Sequence, residues 1–323
     1  MASSISSVAA STLPSQSPPA TAASGNGGNS SATKKPFKIR DELLAPTRLA
    51  PKVQLLHHTR SLSIQVVAHE VFLLVLACTK CYAAAGKEPP RIGVLGGGSV
   101  GAAVVMTILA NGYRADRIAL STRQPDRVPR CEALKAPSAL PMFQLVPRYY
   151  DNTRIARESD VLVLCMPPSQ LKSVSIQIRH ALAASVKTPP LVVSALCGVT
   201  QQSLSKACGS QAVVRVQPDV AKIATHIMQD RQPLPLRLAT EAIAPKREDV
   251  RDLVQAFSLF CRRAWGDDIG LEALTHVLFG DRSEQVEQVR VRTPLVVPSW
   301  PAEWEQDLVE LQVQLAQHAS LPS

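Results

Sequence analysis

Residues 91–101 read Arg-Ile-Gly-Val-Leu-Gly-Gly-Gly-Ser-Val-Gly, and this stretch decides the fold. Ile92 to Leu95 form a short apolar run that enters three consecutive glycines. The segment after them, residues 99–111, has the composition of an apolar helix, and Gly112 suits its C-terminal stop. Gly96, Gly98 and Gly101 fill the G-x-G-x-x-G positions of a dinucleotide-binding turn. Each has its own task there. Gly96 permits the tight turn out of the strand, Gly98 lets a pyrophosphate approach, and Gly101 lets the helix pack close on the sheet. The helix start then offers free N–H groups and a partial positive charge to phosphates.

The pattern continues outward in the same rhythm. Strands are expected at residues 117–122, 161–166, 191–195 and 212–216, with a further short one at 143–146. Helices are expected at 153–158, 169–184 and 200–207. Strands alternating with helices imply an α/β, Rossmann-type, doubly wound parallel sheet whose ligand edge carries the loops after each strand. Helical segments flank it: residues 37–90 as an N-terminal helix and linker, strongest at 61–85, and residues 221–323 with helices at 247–263 and 301–318. Residues 1–36 are rich in Ser, Ala, Pro and Gly and read as a disordered tail. The dinucleotide domain itself spans 91–220.

The end of the second strand selects the cofactor. NAD requires an Asp or Glu there for the ribose 2′-OH. This chain has Ser121, Thr122 and Arg123, 25 to 27 residues after Gly96, with no carboxylate at the strand end. Arg123 offers a forked, charge-assisted contact to a 2′-phosphate, and the two hydroxyls can donate to it. NADP(H) is therefore the expected cofactor.

Bulk properties bound the alternatives. The formal charge is +9, and residues 1–150 hold 17 Lys/Arg against 7 Asp/Glu. No aromatic-rich strand motif or Cys/His finger accompanies that charge, so it argues for a phosphorylated cofactor over nucleic acid. Seven scattered cysteines read as reduced thiols in a cytoplasmic chain. Mitochondrial import is the lesser alternative, because no Arg precedes Arg40. Cys78 and Cys81 form a C-x-x-C without a second pair or nearby His, so no metal site is expected. The most apolar run, residues 71–78, is far shorter than the roughly 20 residues of a membrane span. No membrane partner is expected, and neither the substrate nor the oligomeric state is readable.

Residues 91–220 also resemble the cofactor domain of pyrroline-5-carboxylate reductases, and more closely their divergent relatives, the NADP-dependent oxidoreductase domain-containing proteins. The resemblance rests on the glycine turn, on LSTRQPD (residues 120–126), on SDVLVLCMPPSQL (159–171) and on VVSALCGVT (192–200). It implies that Leu95, Gly96, Gly97, Gly98, Ser99 and Val100 wrap the pyrophosphate. It places Ser121 or Thr122 at the adenosine end and Asn152 against the cofactor. Cys165, Met166, Pro167 and Pro168 would border the nicotinamide ribose, with Ala195, Leu196 and Cys197 beside the nicotinamide. The chain departs from those reductases where Gln217-Pro218-Asp219 replaces a Met-x-Asn-Thr-Pro turn, and in lacking the Ser-Gly-Pro and Pro-Gly-Gly-Thr motifs of their substrate domain. Proline synthesis is therefore not implied. The expected activity is hydride transfer to a small C=N or C=O compound, with a non-catalytic NADP(H)-binding scaffold or redox sensor as the alternative. Asp219, His226 and Tyr150 are the proton donors that can be named, and no motif supports any of them.

Overall fold

The computed structural model describes residues 44, 48–185, 187–229, 235–242 and 247–266. The expected tail at 1–36 and the expected helix at 301–318 lie outside these residues. The elements in chain order are α1 (Pro51–Ala84), β1 (Ile92–Leu95), α2 (Ser99–Ala110), β2 (Ile118–Ser121), α3 (Ala139–Gln144), β3 (Arg148–Tyr149), α4 (Asn152–Glu158) and β4 (Val161–Leu164). They continue with α5 (Leu171–Ala183), β5 (Leu191–Ser194), α6 (Gln201–Cys208), β6 (Val213–Arg215), α7 (Val220–Met228), α8 (Pro235–Ala242) and α9 (Arg247–Trp265).

All six strands run parallel in the order β3-β2-β1-β4-β5-β6. This is the doubly wound dinucleotide-binding order, whose switch point lies between β1 and β4. The four residues of β1, β4 and β5 are all buried, as expected of strands covered on both faces. Their alternation divides the core in two. Ile92, Val94, Ile118, Leu120, Val161 and Val163 point to the face that carries α1 and α2. Leu95, Leu162, Leu164, Val192 and Val213 point to the face that carries α4, α5 and α6.

Helix α1 begins with Pro51 at its first position, where the missing N–H costs no hydrogen bond. By length and composition it could cross a membrane, which the shorter run at 71–78 does not suggest. Yet 78% of its most apolar stretch is buried inside the fold. It is apolar all round because it lies in the middle of a helical layer, packing on α2, α7, α8 and α9 as well as on β4. Tyr82 stacks on Phe260 of α9 with ring centroids 5.6 Å apart. The N-terminal segment thus completes the core of the dinucleotide domain. Cys78 and Cys81 take part in that packing as buried free thiols, with Cys81 Sγ 3.9 Å from Cys261 Sγ.

One expected strand is a helix. Residues 139–144 form α3, and the edge strand β3 follows at Arg148 and Tyr149. Pro141 falls in the first turn of α3, where no intrahelical N–H bond is lost. Leu120 N–H donates to Pro147 O at 2.9 Å, so the strand pairing begins there.

Candidate functional site

The strand register gathers the predicted residues along one edge. Leu95 pairs with both Ser121 and Leu164, and Leu164 pairs with Ser194. The residues one step further, Gly96, Thr122, Cys165 and Ala195, therefore stand side by side at the C-terminal edge of the sheet. The ladder reaches them: Gly96 N–H donates to Ser121 O at 3.0 Å, Cys165 N–H to Leu95 O at 2.8 Å, and Ala195 N–H to Leu164 O at 3.0 Å.

The three motif glycines meet three different requirements. Gly96 has φ 111°, a backbone that side-chain-bearing residues rarely adopt, and an added Cβ would lie 2.7 Å from Met166 N. A Cβ on Gly101 would overlap the carbonyl oxygen of Gly96. Gly98 is the opposite case. Its φ is −82°, and an added Cβ would meet nothing within 4 Å. No packing among the described residues requires glycine there, and the space over its backbone is open. Helix α2, like α1, α3 and α5, lacks a side-chain cap, whereas α4, α6 and α7 are capped by Asp151, Thr200 and Asp219. Its first N–H groups stay available to an anion.

At the end of β2 the predicted trio divides. Ser121 is buried, and its hydroxyl donates to Asn152 Oδ1 at 2.5 Å. Asn152 Nδ2 in turn donates to Gln177 Oε1 at 2.7 Å. Ser121 and Asn152 are thus brought together, but the Ser121 hydroxyl is engaged in positioning Asn152. Thr122 Oγ1 accepts a long 3.4 Å bond from Gln124 N–H. Arg123 is exposed, with no protein partner among the described residues. Among the described residues it is a cation left free at this corner.

On the other side of the switch point, Leu95, Met166 and Leu196 turn their side chains into the core, leaving their backbone at the edge. Burial pushes the Cys165 thiol up to about 12, which keeps it protonated. Pro167, Pro168 and Cys197 are exposed. None of the nominated proton donors is buried. Asp219 accepts from Lys222 N–H at 2.9 Å as the cap of α7, His226 lies in the last turn of α7, and Tyr150 is 73% exposed.

The buried carboxyl nearest this edge comes from α1. Glu70 is 1% exposed, and its Oε2 accepts a 3.1 Å bond from Gln217 N–H just past β6. Its Oε1 has no partner among the described residues. Desolvation raises its pKa to about 8, against the weaker opposing effect of the Gln217 bond. A lone acidic residue inside an apolar helix is the sequence signal that marks it.

Residues 91–198 match the family described as "NADP oxidoreductase coenzyme F420-dependent". The match runs from the start of β1 to the loop after β5, so it contains the glycine turn, the Arg123 corner and the β4 and β5 edges. No curated protein gives a significant match to the chain. Among solved structures, a pyrroline-5-carboxylate reductase from Coxiella burnetii shares 19% identity, with a TM-score of 0.32 over 72% of this chain and 96% of that one. A pyrroline carboxylate reductase from Plasmodium falciparum with NADP bound shares 12% identity, with a TM-score of 0.33 and the same two coverages.

Two outcomes follow from this geometry. Gly98→Val folds with an unchanged melting temperature but loses NADPH binding, whereas Gly101→Val lowers the melting temperature. Calorimetric titration and thermal melts measure the two effects. Glu70 binds a proton in the folded chain up to about pH 8, whereas its ordinary value is 4.5. Its contribution to stability therefore falls as pH rises through that window, by about 1.4 kcal/mol per pH unit, and levels off above it. Glu70→Gln removes this slope, which denaturant titrations at pH 5.5, 6.5 and 7.5 detect as a flatter stability profile.

Proposed function

We propose that the chain is an NADP(H)-dependent oxidoreductase that acts on a small C=N or C=O substrate. The observation that carries the reading is the conjunction at one sheet edge of an uncapped helix start, the open approach at Gly98 and the unpaired Arg123. The family of residues 91–198 supports the same cofactor. Ser99, Val100 and Gly101 supply N–H groups to the pyrophosphate. Thr122 and Arg123 hold the 2′-phosphate, and Ser121 keeps Asn152 in place beside the adenosine end. The Cys165–Pro168 and Ala195–Cys197 turns border the nicotinamide. The cofactor supplies the hydride, and these residues bind it, orient it and exclude water.

A second reading, NADP(H) binding without turnover, is favoured by one observation. The Asp219 carboxylate is engaged as the cap of α7, His226 lies in the last turn of that helix, and Tyr150 is 73% exposed, so none of the three is held buried as a proton donor. Steady-state oxidation of NADPH with a panel of cyclic imines and ketones separates the two readings. Turnover with any of them supports the enzyme, and binding without turnover supports the scaffold.

Cofactor choice gives the sharper number. A hydrogen bond to a charged group contributes about 1.5–3 kcal/mol, so Arg123 favours NADPH over NADH by about 10- to 150-fold. In calorimetric titration Arg123→Ala should weaken NADPH toward the NADH level and leave NADH unchanged. Equal losses for both nucleotides would show that Arg123 does not read the 2′-phosphate.

A further inference from the structure

A large cleft lies on the outer side of α2. It encloses about 890 Å³, within the range of small-molecule sites. Its floor is the outward row of α2 from Ser99 to Asn111, and its walls are the first half of α1 and the segment 130–142. Ser99 is the sole residue it shares with the predicted cofactor contacts.

The lining combines an apolar body with a positive rim. Ile64, Met106 and Met142 supply apolar surface from all three elements. Arg60 enters from α1 and Arg130 from the opposite wall. Neither arginine has a protein partner among the described residues. Glu132 is the carboxylate in the lining, and Lys135 Nζ already neutralises it at 2.6 Å. His69 adds nothing to the positive charge. Burial holds its imidazole below the usual range, and its Nδ1–H donates to Gln65 O at 2.8 Å. Two uncompensated guanidiniums over an apolar floor suit a ligand with an acidic head and an apolar body.

We propose that this cleft is a second ligand site, taking a small amphiphilic organic anion whose carboxylate, sulfonate or phosphate is bound by the arginine-bearing walls. It stands independently of the cofactor site, and both ligands bind at once. Arginine suits the acidic head because its fork meets two oxygens together. Apart from Ser99, the α2 residues of the floor begin at Ala103, beyond the glycine turn, so an occupant seated over them leaves that turn undisturbed.

The test titrates the full chain with anilinonaphthalene sulfonate, followed by fluorescence, in the absence and presence of saturating NADPH. The expected result is one dye site, weakened about tenfold or more in the double variant Arg60→Ala/Arg130→Ala. Ala110→Trp, which narrows the floor at an exposed position, should abolish it. NADPH affinity and melting temperature should be unchanged in both variants, and NADPH should not displace the dye. Dye binding that ignores both variants would overturn the proposal, as would stoichiometric displacement by NADPH. Dye binding that depends on the arginines in a chain that fails to bind NADPH would uphold this site and remove the cofactor reading alone.

Discussion

Everything at the candidate site depends on how closely three backbones meet at the β1–β4 switch point. The carbonyl of Gly96 lies where a side chain on residue 101 would have to be, and Gly96 itself abuts the backbone of Cys165 and Met166. Only glycine at both positions lets α2 start directly over the end of β1 while β4 runs alongside. That closeness puts the free N–H groups of α2 on the edge shared by β1, β4 and β5, where a dinucleotide is expected to lie. Gly98 is different, since nothing among the described residues crowds it.

The sheet needs cover on both faces, and the chain finds it in two places. Helices α4, α5 and α6, from within the dinucleotide domain, take one face. On the other face α2 is joined by α1 from before the domain and by α8 and α9 from after it. The Arg263 guanidinium clamps this arrangement at the opposite edge. Its Nε donates to Asp160 Oδ1 at 2.6 Å and its Nη1 to Thr188 O at 3.0 Å. Asp160 also accepts from Arg91 N–H at 2.8 Å, so one carboxylate ties α9 to the approaches of β1 and β4. The same layering brings Glu70 against the end of β6, linking a helix outside the domain to the edge of the candidate site.

The alternation of strands and helices from Ile92 to Arg215 was legible because each element carries a local signal. Apolar runs mark β1, β4 and β5, and Gly112 and Gly209, both at positive φ, close α2 and α6. What escaped the sequence depended on tertiary context. A six-residue helix such as α3 is too short for its period to be told from that of a strand. Ser121 reads equally well as a ligand hydroxyl or as the partner of Asn152, and only its burial decides. The role of α1 was hidden because an all-round apolar helix reports burial without reporting against what. The proton donor is unread for the same reason: Asp219 carries a plausible side chain in a plausible place, and the fold uses it as a helix cap.

Hydrogen exchange with and without NADPH tests the central claim most directly, because it reads the backbone groups that the site is built from. Slowed exchange is predicted for the amides of residues 97–101, 122–123 and 165–166, with little change in the first half of α1 or in segment 130–142. An unchanged pattern at the glycine turn, or protection confined to the α1–α2 cleft, would contradict a cofactor site at the β1–β4 switch point.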